Sequence, residues 1–489
     1  MASEAHSRLY ALVKATPALH EAYDAPETAK SFALLRAYTQ KLLQEHPAYQ
    51  GLSPPSLIAG FDVVGAPSKA WKADFVGKFS PPDKKSDEAA KLPDELIIVY
   101  SFASSSLLQQ FQEVVGKAQS INPGAPISSV GVDLAAGTAD HWCPGTANLD
   151  SFSTRRKARR AVVADALTTD NLLGQNVNVV IVDQGLHRAS LPTRNWGGGL
   201  GLINGPAPGS GDRTSHGMMI ARTILDMAPD AVLYDVPLIP PERIASIPPF
   251  LSVAQAAYFT MLLEILIRRP IPPWTGPWIF VNAWAIFDRA TETSLGDYTE
   301  NKAGAPFAIG HPLINMVKLL TNPFRFDVVF AAGNCGDFCA SPRCGKRDRG
   351  PGHSIWGANA LREVITAGAV SAADTWIGAS SQGPGPNING LAREKPDLCA
   401  PSHFRENDDA SLVNSGTSTA CAMAAGAVAA LRSKPAWDQR YVSPASMRTA
   451  LIGSARKTLW PGWNERLGHG ILNVGAAMGR LPRATKSAE

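Results

Sequence analysis

The chain has 489 residues, 45% of them hydrophobic and 18% charged, with a formal net charge of +4. That much apolar content excludes global disorder, and so small a net charge speaks against a nucleic-acid-binding protein. Six cysteines over this length are too few for a disulfide scaffold.

The first residues do not read as a signal peptide, because Glu4, Arg8 and Lys14 interrupt every apolar stretch. Residues 9–49 carry helical spacing, with Leu9, Leu12 and Val13 in one stretch and Phe32, Leu34, Leu35 and Tyr38 in the next. Residues 50–94, rich in Pro, Gly, Lys and Asp, read as loop. A strand at 95–102, a helix at 104–118 with Leu107, Leu108, Phe111, Val114 and Val115 on one face, and a strand at 127–133 follow. This β-α-β pattern implies a small α+β domain over residues 1–150. Residues 151–170 form a basic linker, with Arg155, Arg156, Lys157, Arg159 and Arg160 expected in solvent.

From Asn176 the pattern changes to strands alternating with helices. Strands are expected at 177–182, 231–238, 278–286, 326–334 and 363–370, and helices at 215–225, 250–267 and 312–320. Such alternation implies a parallel sheet covered on both faces, with ligands bound beyond the carboxyl ends of its strands. The run 251–267 is the longest apolar stretch, but Gln255 and Glu264 lie within it and Arg268 and Arg269 follow, so it reads as a buried or amphipathic helix. A cytoplasmic protein with no membrane and no nucleic-acid partner is therefore the expectation. Gly197 to Gly205 reads as a flexible loop, since its glycine spacing does not fit a dinucleotide site.

An Ala-rich segment without charge, residues 414–431, begins with Asn414-Ser-Gly-Thr-Ser418 and reads as a buried helix starting near Thr417. Ser418 falls in its first turn, where free backbone N–H groups can hold an oxyanion. Taken alone, Ser415, Thr417 and Ser418 would be helix caps. Asp183 and Asn334, at strand ends, and His216, at a helix start, share the rim with Ser418. Asp, His and Ser in that order suit nucleophilic hydrolysis. Ser418 needs His216 to take its proton, and Asp183 fixes the imidazole tautomer. The Asn334 amide and the Ser418 N–H can donate to an oxyanion.

With those residues in view, the chain resembles the subtilisin-like serine peptidases over roughly residues 170–480. The resemblance rests on Val182-Asp183-Gln-Gly185, His216-Gly217, Ala331-Ala-Gly-Asn334 and Gly416-Thr-Ser418-Thr-Ala420, with Ser380-Ser-Gln-Gly-Pro384 and Lys395-Pro-Asp397 flanking. It implies a three-layer α/β domain at 171–480 with a mostly parallel central sheet, preceded by the smaller α+β domain and followed by a tail at 481–489. It also implies a serine endopeptidase acting on peptide or protein substrate through an acyl-enzyme on Ser418. Asn282, Ala283, Trp284, Ala285, Ala332 and Gly333 are then expected to line the substrate groove. A non-catalytic peptide-binding scaffold and an esterase are the alternatives.

The sequence departs from the family's usual pattern at Met218, at Ala422 and at Trp284-Ala-Ile286. If Trp284 lines the groove it reshapes specificity; strand alternation could equally turn it into the core. Residues 1–150 are expected to act as an intramolecular regulator, with the basic linker as the cleavage point; a sensor or partner-binding module is the alternative. No cofactor or metal is assigned. The family often binds calcium, but no acidic loop here is distinctive enough to hold it. Cys335, Cys339 and Cys344 read by default as reduced loop thiols, with one disulfide the alternative if the protein is exported.

Overall fold

The computed structural model describes residues 7–14, 16, 29–49, 52, 56–57, 95–141, 152–201, 206–239, 250–290, 292, 298, 310–388, 391–406, 412–457 and 461–482. Most of the expected 50–94 loop, the 481–489 tail beyond Pro482 and the loop ending at Gly205 lie outside them.

Seven parallel strands form the central sheet. Their order across it is Leu398–Pro401, Ile365–Val370, Asp327–Ala331, Trp278–Asn282, Asn178–Asp183, Val232–Pro237 and Trp196–Gly199. The β-branched runs are buried on both faces, so successive residues enter different cores. Val180 and Val182 join one cluster with helices Leu251–Arg268 and Pro312–Thr321. Val179 and Ile181 join the other, with helices His216–Met227 and Gly416–Arg432. This is the three-layer arrangement expected. The edge strand Trp196–Gly199 corrects the flexible-loop reading at its start. Gly197 is needed there because a Cβ would lie 2.5 Å from the Tyr234 ring.

The N-terminal sheet is antiparallel, ordered Ser56–Leu57, Glu95–Phe102, Ser7–Lys14 and Ile127–Val132. Ser7–Lys14 is thus a strand, not a helix. It lies between the two strands of the expected β-α-β unit, so those two never pair directly. Helix Ser105–Ile121, capped by Ser104, joins them.

The sheet packs on helices Leu251–Arg268 and Pro312–Thr321, and its residues share one cluster with theirs. Polar contacts fix the register. Ser252 donates to the Asp133 carboxylate from its N–H (3.1 Å) and its hydroxyl (2.7 Å). His311 Nε2 donates to Val132 O at 2.9 Å. Burial pushes Asp133 up to about 7 and His311 down to about 4.

The expected basic linker is corrected in part. Arg155–Ala161 is a helix capped by the Thr154 hydroxyl, and Arg155 and Arg159 both pair with Asp226 of the His216 helix, while Arg156, Lys157 and Arg160 are exposed as expected.

Candidate active site

Asp183 ends its strand fully buried, and its Oδ1 accepts from His216 Nδ1 at 2.7 Å and from Gln184 N at 2.7 Å. His216 opens its helix, whose N-cap Ser215 accepts from Met218 N and donates to Gly185 O at 2.8 Å. Gln184 Oε1 accepts from His216 N at 3.1 Å. The two motifs are therefore bonded to each other, and a Cβ at Gly217 would lie 2.5 Å from Gly185 O. Nδ1–H bound to the carboxylate leaves Nε2 as the basic nitrogen, and that atom is buried with no hydrogen-bond partner. Burial alone would lower the His216 pKa. The charge and hydrogen bond of Asp183, with the charge of Asp140, outweigh it and raise it above the ordinary imidazole value.

Ser418 lies in the first turn of Gly416–Arg432, fully buried. Ser415, at the N-cap, makes no side-chain capping bond. Ser418 Oγ donates to Ala283 O at 3.1 Å rather than to His216. Asn334 Oδ1 accepts from Thr417 N at 3.0 Å and from Thr417 Oγ1 at 3.1 Å, which turns its Nδ2 outward.

The two donors expected to hold an oxyanion share one acceptor. The Ala139 carbonyl accepts from Ser418 N at 3.1 Å and from Asn334 Nδ2 at 2.5 Å. Gly137–Thr138 pairs antiparallel with Trp284–Ala285, and Ala139 N donates to Ala283 O at 2.8 Å. Gly416 has φ +66°, and a Cβ there would lie 2.2 Å from Ala139 O. The chain's own segment thus lies along the groove as an added strand, with the Ala139–Asp140 peptide over Ser418.

Of the expected groove residues, Ala283 and Ala285 meet this segment through their backbones. Ala285 also faces Gly333, whose φ of +102° suits glycine and where a Cβ would lie 3.4 Å from Ala285 Cβ. The Trp284 side chain lies in the core, edge-on to Phe250 at 4.8 Å and Phe330 at 5.2 Å. Asn282 also turns inward, accepting from the Tyr258 hydroxyl, and Ala332 packs with Ile355 and Ala360. Ala139, Thr138 and Arg343 were not foreseen. A short run of small residues just after the last N-terminal strand, Leu134-Ala-Ala-Gly-Thr-Ala139, was the signal available.

Cys335 and Cys344 form a disulfide directly after Asn334, which corrects the reduced-thiol reading for this pair. Among the described residues no group of three or more His, Cys, Asp or Glu could hold a metal ion.

Residues 293–470 match the sequence profile of the Subtilase family, a span that includes Asn334 and Ser418. No curated protein matches the chain. Among solved structures it is similar to MycP1 from the ESX-1 type VII secretion system, at 17% identity over 73% of this chain and 94% of that one, TM-score 0.44. It is similar also to MycP1 from Mycobacterium smegmatis, at 17% over 73% and 95%, TM-score 0.44. A third is MycP1 with its N-terminal propeptide removed, at 17% over 68% and 98%, TM-score 0.43.

The expectation of a cytoplasmic chain without membrane partners is corrected. Helix Leu251–Arg268 is long and apolar enough to cross a membrane by length and composition, although 83% of that window is buried within the fold. Residues 293–470 thus carry a subtilase-family segment, set within a three-layer α/β fold with a parallel central sheet.

Proposed function

We propose that the chain is a serine endopeptidase whose first substrate is its own Ala139–Asp140 bond. One observation carries this reading: the Ala139 carbonyl accepts from both Ser418 N and Asn334 Nδ2 while its segment is paired in the groove. The chemistry follows from the residues. The Ser418 hydroxyl rotates from Ala283 O to His216 Nε2, gives up its proton and attacks the Ala139 carbonyl carbon. Negative charge on the carbonyl oxygen meets the two donors already in place. His216 then delivers the proton to the Asp140 nitrogen, the C–N bond breaks, and Ala139 stays as an ester on Ser418. Water, deprotonated by His216, releases it.

On this reading residues up to Ala139 form the N-terminal unit and restrain the enzyme by filling its groove. The regulatory cleavage lies at Ala139–Asp140 rather than in the Arg155–Arg160 stretch. Asp183, His216, Asn334 and Ser418 are the catalytic set, and Ala283, Ala285 and Gly333 hold the substrate.

The rival reading, a non-catalytic scaffold, has one observation in its favour: Ser418 Oγ bonds Ala283 O and not His216. Fluorophosphonate labelling of protein cut at a protease site inserted between Ala139 and Asp140, and freed of its N-terminal fragment, separates the two. The expected result is one adduct, on Ser418. Folded, cut protein that takes no label, or label that survives Ser418→Ala, supports the scaffold.

A further inference from the structure

Arg343 sits beside Cys344 on the loop closed by the Cys335–Cys344 disulfide, the loop that begins immediately after Asn334. Ser341 N donates to Asn334 O at 2.8 Å and Cys344 N to Ser341 O at 3.0 Å, so the loop is braced against the oxyanion residue itself. The Arg343 guanidinium lies over the Phe287 ring at 4.0 Å, and its Nε donates to Ser341 Oγ at 3.3 Å. Its Nη2 donates to Thr138 O at 2.8 Å and to Asp140 O at 3.2 Å.

Successive carbonyls of an extended chain point to opposite sides. The carbonyls of Thr138 and Asp140 therefore face away from that of Ala139, which enters the oxyanion donors. The peptide over Ser418 is gripped on one side by Ser418 N and Asn334 and on the other by Arg343. Gly137 makes room for this grip, since a Cβ there would lie 2.7 Å from Arg343 Nη1. The Asp140 carboxylate, across the bond from Ala139, accepts from Thr138 Oγ1 at 2.6 Å. Burial alone would raise its pKa; the charge of His216, the Thr138 hydroxyl and the charge of Arg343 outweigh it and hold the carboxyl below the ordinary range.

We propose that Arg343 positions the substrate and sets its specificity: it clamps the carbonyls on either side of the scissile bond and selects an acidic residue on the leaving side. This rests on the reading that Ala139–Asp140 is cleaved, and it adds a residue and a preference to it.

The test is the rate at which the full chain is cut at Ala139–Asp140, followed by intact mass, in wild type, Arg343→Glu, Asp140→Lys and the double change. Each single change is expected to slow scission on the order of 10- to 100-fold, the scale of a lost charge-assisted hydrogen bond. The double change is expected to be cut faster than either single one, a non-additivity that a purely structural role for Arg343 would not produce. Arg343→Gln, which keeps two donors and drops the charge, serves if Arg343→Glu fails to fold; in its background the Asp140→Lys change should slow scission by a smaller factor than it does in wild type. Wild-type rates in Arg343→Glu, or strictly additive losses in folded protein, overturn the assignment of Arg343 alone. A wild-type chain never cut at this bond overturns the underlying reading with it.

Discussion

The two faces of the central sheet are built from different materials. On the face of the Ser418 helix the layer is made of small residues: from Ala420 to Ala430 only Cys, Met, Gly and Val interrupt alanine, and all are buried. Gly426 lets this helix lie against the His216 helix, since a Cβ there would lie 2.8 Å from Met227 Cβ and 3.0 Å from Ile224 O. On the other face Trp274, Trp278, Trp284, Tyr234, Tyr258, Phe280 and Phe330 fill the space, and the same cluster runs on into Leu9, Tyr10 and Tyr100 of the N-terminal sheet. Close approach of the two helices sets the spacing of His216 and Ser418, the proposed base and nucleophile. Bulk on the far face joins the N-terminal unit to the rest and so brings residues 137–140 to Ser418. On the proposed function, one face serves the chemistry and the other the delivery.

Damage to each face should therefore have a different signature. The largest effect is expected at Trp284, where Trp284→Ala removes an indole packed between Phe250 and Phe330. It should cost about 3–5 kcal/mol of stability, read as a lowered urea midpoint of the full chain. A midpoint near wild type would mean that the aromatic face does not carry the junction.

Next comes Asn334→Ala, which leaves nucleophile and base intact but takes one donor from the Ala139 carbonyl. Scission should slow on the order of 100- to 1000-fold, a scale known from subtilisin itself, and the urea midpoint should fall as well, since Thr417 N and Oγ1 lose their buried acceptor. Near-normal cutting would place oxyanion stabilisation elsewhere.

On the small-residue face, Gly426→Ala forces the two helices apart and should cost about 1–3 kcal/mol. The cut at Ala139–Asp140 should slow as well, because the spacing of His216 and Ser418 changes. Unaltered scission would separate helix packing from catalytic geometry.

The smallest effect concerns pH. His216 must be neutral to take a proton, so scission should rise with pH and be half-maximal above about 6.5, the unperturbed imidazole value, because the folded pKa is raised. Stability runs the other way: a raised pKa contributes stability that is complete below the unfolded value and is lost as pH climbs through the folded one. A half-maximal rate below the ordinary imidazole value would contradict the pairing with Asp183.

Much of the parallel-sheet unit was legible in the sequence because its determinants are local. β-branched runs such as Val177 to Val182 gave the strands, and the residues at their ends marked the rim. The N-terminal strand was misread because Leu9, Leu12 and Val13 fit helical spacing. In the structure Leu9, Tyr10 and Ala11 are all buried, since the sheet has its own helix on one face and the catalytic unit on the other, and alternation disappears. The Arg155–Arg160 stretch looked solvated because its partner, Asp226, lies far along the chain. Trp284 was ambiguous since either strand face was open to it. The occupant of the groove left the faintest trace: small residues in an extended run have no period, and only the register with Trp284–Ala285 reveals their place.

On the proposed function, Ser418 cuts the chain between Ala139 and Asp140. Intact mass and N-terminal sequencing of the freshly made full chain, beside the Ser418→Ala chain, test it most directly. A fragment beginning at Asp140 is expected in the first and an uncut chain in the second. A wild-type chain that stays whole, or the same fragment arising in Ser418→Ala, would contradict it.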